Sequence, residues 1–272
     1  MKLPHLPAAL LVGLVALLVA STSQARSVLE LPYPSERTGH FPAVTYADDG
    51  RRLGDSAFDI EDLADGRVRI SATTHIDGGA SNRSQILLAP VPGRKHLRIL
   101  AQRSESRDET GRSMGVMSID HESGIATCAP GEAPGAIHDT TRIALPARER
   151  VANLALNLLF QPLAQEEVRE VDFEILVCRA LGSGPRILPF SAKRDETRVG
   201  RPDAPVGDLV EIRYQPDFGP FVGWMAGHWM PRLSLWLDPH GSFIGQRVPL
   251  YSKGPEVIVL RKGHSPDELR AD

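Results

Sequence analysis

Apolar and polar residues alternate with a period near two through much of the chain. From Arg67 to Ile76, Val68, Ile70, Ala72, Thr74 and Ile76 fall on one side, and Arg67, Arg69, Ser71, Thr73 and His75 on the other. That is the pattern of a half-buried strand. Between Gly54 and Leu63, Phe58 and Ile60 oppose Asp59 and Glu61, and Ala64-Asp65-Gly66 supplies the turn of a hairpin joining the two segments. The same reading predicts strands at Gln85–Ala89, Leu97–Gln102, Gly115–Asp120, Val171–Arg179, Leu209–Gln215, Leu233–Leu237 and Glu256–Arg261. Glycine and proline turns separate them, among them Asp77-Gly78-Gly79, Pro92-Gly93, Ser123-Gly124 and Pro239-His240-Gly241. Many short strands with such turns predict a mainly β fold, an antiparallel sheet curled into a barrel-like wrap.

One segment has a different period. Val151, Leu154, Ala155, Leu158 and Leu159 recur at helical spacing, Pro146 suits a first turn, and Pro162 predicts an end near Phe160. Leu156 and Phe160 lie off the stripe, so the helix is expected to be covered on several sides, as a plug in the curved sheet or as an ordinary core helix. Ala129–Ala136 and Ala180–Val206 read as loops. The expected organisation is one β-rich domain over 26–272, with a core of about 40–262 and a frayed tail.

The first residues belong to another pattern. Lys2, an apolar run from Ala8 to Ala20, and Ser23 and Ala25 in small-x-small spacing have the order of a secretory signal peptide over 1–25. The run is short for a membrane span, the alternative being a retained anchor. No cysteine follows it and no twin arginine precedes it, which favours the Sec route and a soluble, periplasmic product without a later transmembrane segment. Cys128 and Cys178, the only cysteines, then read as one structural disulfide, in preference to a reactive or metal-binding pair.

Composition narrows the chemistry. With 31 basic against 34 acidic residues and a net charge of −3, the chain lacks the cationic excess of a nucleic-acid binder. Its 42% hydrophobic content excludes a disordered polyampholyte. Metalloprotease, P-loop, nucleophile-elbow and dinucleotide-binding motifs are missing, and no cofactor is implied. His40, His75, His96, His121, His138, His228, His240 and His264 are scattered and read as surface residues. Asp59, Glu61 and Asp62, and likewise Glu170, Asp172 and Glu174, are close in sequence; the second trio alternates as a solvated strand face would. The most unusual stretch is Phe218–Pro231, which holds Trp224, Met225, His228, Trp229 and Met230. Its aromatic and thioether groups suit an apolar guest, a core or ordered loop, or a Cu(I) site made by Met225, His228 and Met230.

Four stretches resemble an exported family, domain of unknown function 3108: TYADDGRRLGDSAFDI, VANLALNLLF, FEILVC and LSLWLDPHGSFIGQRVPLYSKGPEVIVLRKG. The matching features are the glycine pair Gly50 and Gly54 after a tyrosine-containing strand, Trp236 on a late strand, and Pro249 on the next. The resemblance implies an antiparallel, barrel-like envelope protein with no established enzymatic activity and no catalytic residues to carry over. The resulting expectation is a non-enzymatic periplasmic protein that binds a lipid or other hydrophobic ligand. Trp224, Met225, Trp229 and Trp236 would line or gate the cavity, with Leu158 and Phe160 as its floor. The alternatives are an envelope hydrolase or carbohydrate-active enzyme using carboxylates with His75 or His228, and an assembly factor binding another envelope protein along a sheet edge.

Overall fold

Alternation is converted into one sheet. A computed structural model of the chain describes residues 29–36, 38–133, 139–145, 150–178, 185–195, 209–217, 233–250 and 254–269. The leader segment and Phe218–Pro231 lie outside them. Fifteen strands form among the described residues: β1 (Leu31–Pro32), β2 (Gly39–Tyr46), β3 (Arg52–Asp62), β4 (Val68–Ile76), β5 (Ser81–Pro90), β6 (His96–Arg107), β7 (Ser113–Asp120), β8 (Ile125–Ala129), β9 (Thr141–Ala144), β10 (Glu170–Val177), β11 (Arg186–Arg194), β12 (Val210–Pro216), β13 (Leu233–Leu237), β14 (Phe243–Pro249) and β15 (Glu256–Arg261). A single helix, α1 (Leu156–Ala164), stands between β9 and β10. The spatial order is β10-β11-β12-β13-β14-β15-β2-β3-β4-β5-β6-β7-β8-β9, with β1 added beside part of β6. Two meanders are thus joined by the pairing of β15 with β2, where Leu260 opposes Val44.

The turn predicted at Ala64-Asp65-Gly66 forms, with the Leu63 amide bonded to the Arg67 carbonyl at 2.8 Å. The adjoining β3 and β4 pair from Gly54 opposite Ile76 to Asp62 opposite Val68, over the whole of β4. At Gly54 a Cβ would lie 1.9 Å from the His75 carbonyl oxygen, so the close approach of the strands requires glycine.

Three sequence expectations differ from the structure. Ala180–Val206, read as a loop, contains β11, whose Leu188, Phe190 and Ala192 alternate inward despite Pro189 between them. The helix starts five residues later than its apolar stripe and continues through Pro162. Val151 forms a β-bridge to Glu174 instead, and the Asn153 and Leu154 amides donate to the Gln102 side chain at 2.8 and 2.9 Å. With Val151 committed to β10 and Ala155 in the left-handed region at φ 54°, the helix begins only at Leu156. Lastly, the chain packs beyond both expected core limits. Leu31 is fully buried beside β6, and after β15 a 3-10 turn at Pro266–Leu269 brings Leu269 against the sheet.

The sheet is not closed into a barrel by a continuous ladder, because β9 and β10 do not pair with each other. A seam joins them instead. The Ala152 amide donates to the Glu174 carbonyl at 2.9 Å, and the Asn153 side chain bonds both backbone groups of Leu176, at 2.7 and 2.9 Å. Gln102, 2% exposed, anchors the segment from behind by donating to the Val151 carbonyl at 2.9 Å. Its Oε1 accepts from two amides, so its Nε2 must also donate to His121 Nε2 at 2.8 Å, which puts that imidazole's proton on Nδ1. The expected disulfide, Cys128–Cys178, ties β8 to the end of β10 across the same seam, with a Cα separation of 5.6 Å.

Helix α1 fills one end of the wrap. Phe160 is fully buried, with Phe173 5.4 Å away edge-on and Tyr214 also at 5.4 Å. Leu31, Leu88, Leu97, Ile212 and Leu163 complete this core. Gly241, at φ +87°, closes the neighbouring turn where a Cβ would stand 2.3 Å from Gln161 Cγ.

Candidate functional site: an uncharged cavity inside the sheet

Side chains pointing inward from β3, β4, β5 and β6 stand in rows because these strands pair in register. Nearest the helix-filled end, Ile60, Ile70, Ile86 and Gln102 oppose one another in turn. The next row is Phe58, Ala72, Ser84 and Ser104, and the one after it Ser56, Thr74, Asn82 and Ser106. Along each strand the inner face thus changes from branched aliphatics to small hydroxyl and amide groups. The change leaves space, since alanine and serine replace isoleucine while the backbone spacing stays the same.

The result is a cavity of about 520 Å³ inside the wrap. Its hydroxyl-bearing wall is formed by Ser56, Thr74, Asn82, Ser84, Ser104 and Ser106. Opposite it are apolar groups of β12 to β15, including Tyr214, Leu233, Leu235, Val248 and Val257. Leu154, Ala155, Leu156 and Asn157 enter from the start of the helix, and Ile175 from β10. No Asp, Glu, Lys, Arg or His side chain is among the described residues lining it. Phe58 stacks on Phe41 at 4.7 Å and meets Phe243 edge-on at 5.3 Å, forming an aromatic corner. Arg261 lies 5.0 Å from the centre of the Phe41 ring and pairs with Glu36 at 3.7 Å.

The hydroxyl wall is partly self-satisfied. Thr45 and Ser56 share a 2.6 Å hydrogen bond, and Ser56 donates to Thr74 Oγ1 at 2.9 Å. The Asn82 amide nitrogen donates to Ser106 Oγ at 2.8 Å. Hydrogen-bonding capacity is left over: as acceptors, Ser104 and Ser106 keep their own protons to donate. Burial pushes the Tyr214 hydroxyl pKa up, so this group is protonated and a donor.

The candidate residues read from the sequence are distributed differently. Leu158 and Phe160 are in the helix core, beneath the cavity, and the lining on this side comes from Leu154 to Asn157. Trp236 is 2% exposed but lies on the other face of β13, among Leu209, Ile244, Ile258, Leu260 and Leu269. The physical reason is parity: Leu233 and Leu235 take the inward positions, so Trp236 points outward and is covered by the C-terminal turn. Trp224, Met225, His228, Trp229 and Met230, including the copper set, lie outside the described residues. Among the described residues no three His, Cys, Asp or Glu side chains come together as a metal-binding group. His75 is exposed on the outer face of β4.

The acidic groups singled out earlier are also on the outer face, except Asp62, which is exposed at the end of β3 on the parity of Phe58 and Ile60. Asp59 pairs with His40 at 2.7 Å, Glu61 with Arg69 at 2.9 Å, and Asp62 accepts from Thr38 at 2.7 Å. Glu170 pairs with Lys193 at 3.1 Å. Glu174 departs from the solvated face expected of its trio, because the 150–152 segment lies along its strand. Its Oε2 is buried without a hydrogen-bond partner, and that burial pushes its pKa up, against the opposing pull of Arg150.

Sequence reading missed the hydroxyl wall. The signal was available as parity, since Asn82 and Ser84 alternate inward on one strand and Ser104 and Ser106 on the next. Only the register of β5 with β6, which sets Asn82 opposite Ser106 and Ser84 opposite Ser104, brings them side by side. No helix among the described residues is long and apolar enough to cross a membrane.

No family model and no curated protein matches the chain. Among solved structures it is similar to the crystal structure of a β-barrel-like protein of the domain of unknown function DUF1849 from Brucella abortus. The two share 12% sequence identity, the match covers 82% of this chain and 94% of that one, and the TM-score is 0.42.

Proposed function

We propose that this chain is a non-enzymatic binding protein of the cell envelope that shelters a lipid or another hydrophobic guest inside its curved sheet. The observation that carries this reading is the cavity of about 520 Å³, which falls in the size range of ligand pockets and is apolar apart from neutral hydroxyl and amide groups. Export through the Sec route to the periplasm belongs to the same proposal. The leader-like N-terminus and the disulfide support it. Membership of the exported 3108 family, which the quoted motifs resemble, belongs to the same proposal. Trp224, Met225 and Trp229 are assigned to the guest's surroundings on the strength of their composition and their place in the chain just before Leu233, a lining residue.

The test is to purify the protein under gentle conditions and look for a co-purifying guest by native mass spectrometry and solvent extraction. Ala72→Trp fills the cavity from β4 and is expected to abolish both guest retention and uptake of a fluorescent apolar probe. Uptake that is unchanged in a folded Ala72→Trp protein would sink the proposal.

A further inference from the structure

Building on the hydrophobic-guest reading, we infer that the guest is an uncharged amphiphile: one hydrocarbon chain attached to a head group with adjacent hydroxyls, as in an acylglycerol or an alkyl glycoside. The two walls of the cavity differ in the way such a molecule does. On one side Leu233, Leu235, Val248 and Val257 offer dispersion contacts, with Gln246 the polar group among them. On the other, Thr74, Asn82, Ser84, Ser104 and Ser106 form two adjacent rows across three neighbouring strands. Of these, Ser84 has no hydrogen-bond partner among the described residues, and Ser104 and Ser106 retain donors. Adjacent hydroxyls on a ligand, each both donor and acceptor, match such a row.

The same lining disfavours a charged head group. A carboxylate or phosphate brought here would lose its hydration and find no cation among the described lining residues. Arg261 does not supply one, being off the lining and paired with Glu36. Size sets a further bound. The cavity of about 520 Å³ is open on one side and is of the scale of a single-chain ligand. A glycerol monoester of a medium-chain acid is of that size, whereas a two-chain phospholipid is far larger.

The experiment uses the full mature protein loaded with 1-N-phenylnaphthylamine, a neutral apolar fluorophore. Decanoylglycerol, octyl glucoside, decanoate and decyltrimethylammonium compete for it below their micelle concentrations. The expected result is that one or both hydroxylated ligands displace the fluorophore at least roughly tenfold more tightly than either charged ligand. Which of the two is tighter identifies a glycerol or a sugar head, and either supports the inference. Ser84→Ala/Ser104→Ala, with Asn82→Leu as a second variant, should weaken the hydroxylated ligand by roughly fivefold or more without weakening the fluorophore. Displacement by decanoate as tight as by decanoylglycerol, or unchanged competition in both variants, overturns the inference and leaves the hydrophobic-guest reading standing. Failure of the fluorophore and of all four competitors to bind overturns the reading itself, and the inference with it.

Discussion

Replacing Gln102 by leucine tests whether the seam, and not a strand ladder, holds the two ends of the sheet together. The glutamine serves four groups: it accepts from the Asn153 and Leu154 amides and donates to the Val151 carbonyl and to His121. Leucine has nearly the same volume and none of these bonds. A buried polar group left unpaired costs about 1–3 kcal/mol. Val151 is fully buried, while Asn153 and Leu154 are half-buried, so water recovers part of their loss. Added apolar burial offsets ~1 kcal/mol more. The expected net loss is about 3–5 kcal/mol, a large share of the ~5–15 kcal/mol by which domains are stable. Urea unfolding followed by circular dichroism measures it, with Arg103→Leu, an exposed neighbour on the outer face, as a control expected to stay within ~0.5 kcal/mol. Amide exchange gives the location: protection at Ala152 and Leu176 should fall, and protection along β3 and β4 should persist. A loss below about 1 kcal/mol with unchanged exchange at Ala152 and Leu176 would refute the reasoning.

Further outcomes follow from other parts of the molecule. Cys128→Ser/Cys178→Ser opens a loop spanning a sequence separation of 50 and should cost about 4 kcal/mol in the chain-entropy model; identical melting of reduced and oxidised protein would contradict this. Glu174, whose folded-state pKa is raised, destabilises the fold once pH exceeds its unfolded value, and increasingly so until pH passes the folded one. Glu174→Gln should therefore raise the melting temperature at pH 7 and lose that advantage as pH falls below the ordinary carboxylate range; an equal gain at both ends of that range would count against it. Gly54→Ala forces a methyl group into the His75 carbonyl and should destabilise by about 2 kcal/mol or more, whereas Gly66→Ala, with open space around it, should cost less in the same denaturant titration.

Much of the sheet was legible because its strands alternate cleanly. Leu233–Leu237 and Glu256–Arg261 form with the predicted limits, and Val68–Ile76 begins one residue inside its predicted start. What was not legible depends on partners distant in sequence. The helix start at Leu156 follows from the bridge of Val151 to Glu174 on another strand and from Ala155 at φ 54°, neither of which the apolar stripe announces. Trp236 could not be assigned a face by composition, since β13 is buried on both sides and an aromatic residue suits either. Leu269 supplies the outer cover from a segment expected to fray. The cavity's neutral wall was hidden for a related reason. Single serines are unremarkable in a strand, and they become a surface only when neighbouring strands align them.

The pairing of β15 with β2 has a consequence for how the chain comes to be folded. Within each meander every strand pairs with one made just before it, so β2 to β9 can zip up as local hairpins. The β2 edge, however, waits unpaired until the last strand exists, exposing amides and carbonyls to any other extended chain. A circular permutant that links the segment after β15 to the segment before β2 and begins at β10 would turn this late, distant pairing into one more local connection. Such a chain should refold faster and aggregate less while reaching the same register, with Leu260 opposite Val44.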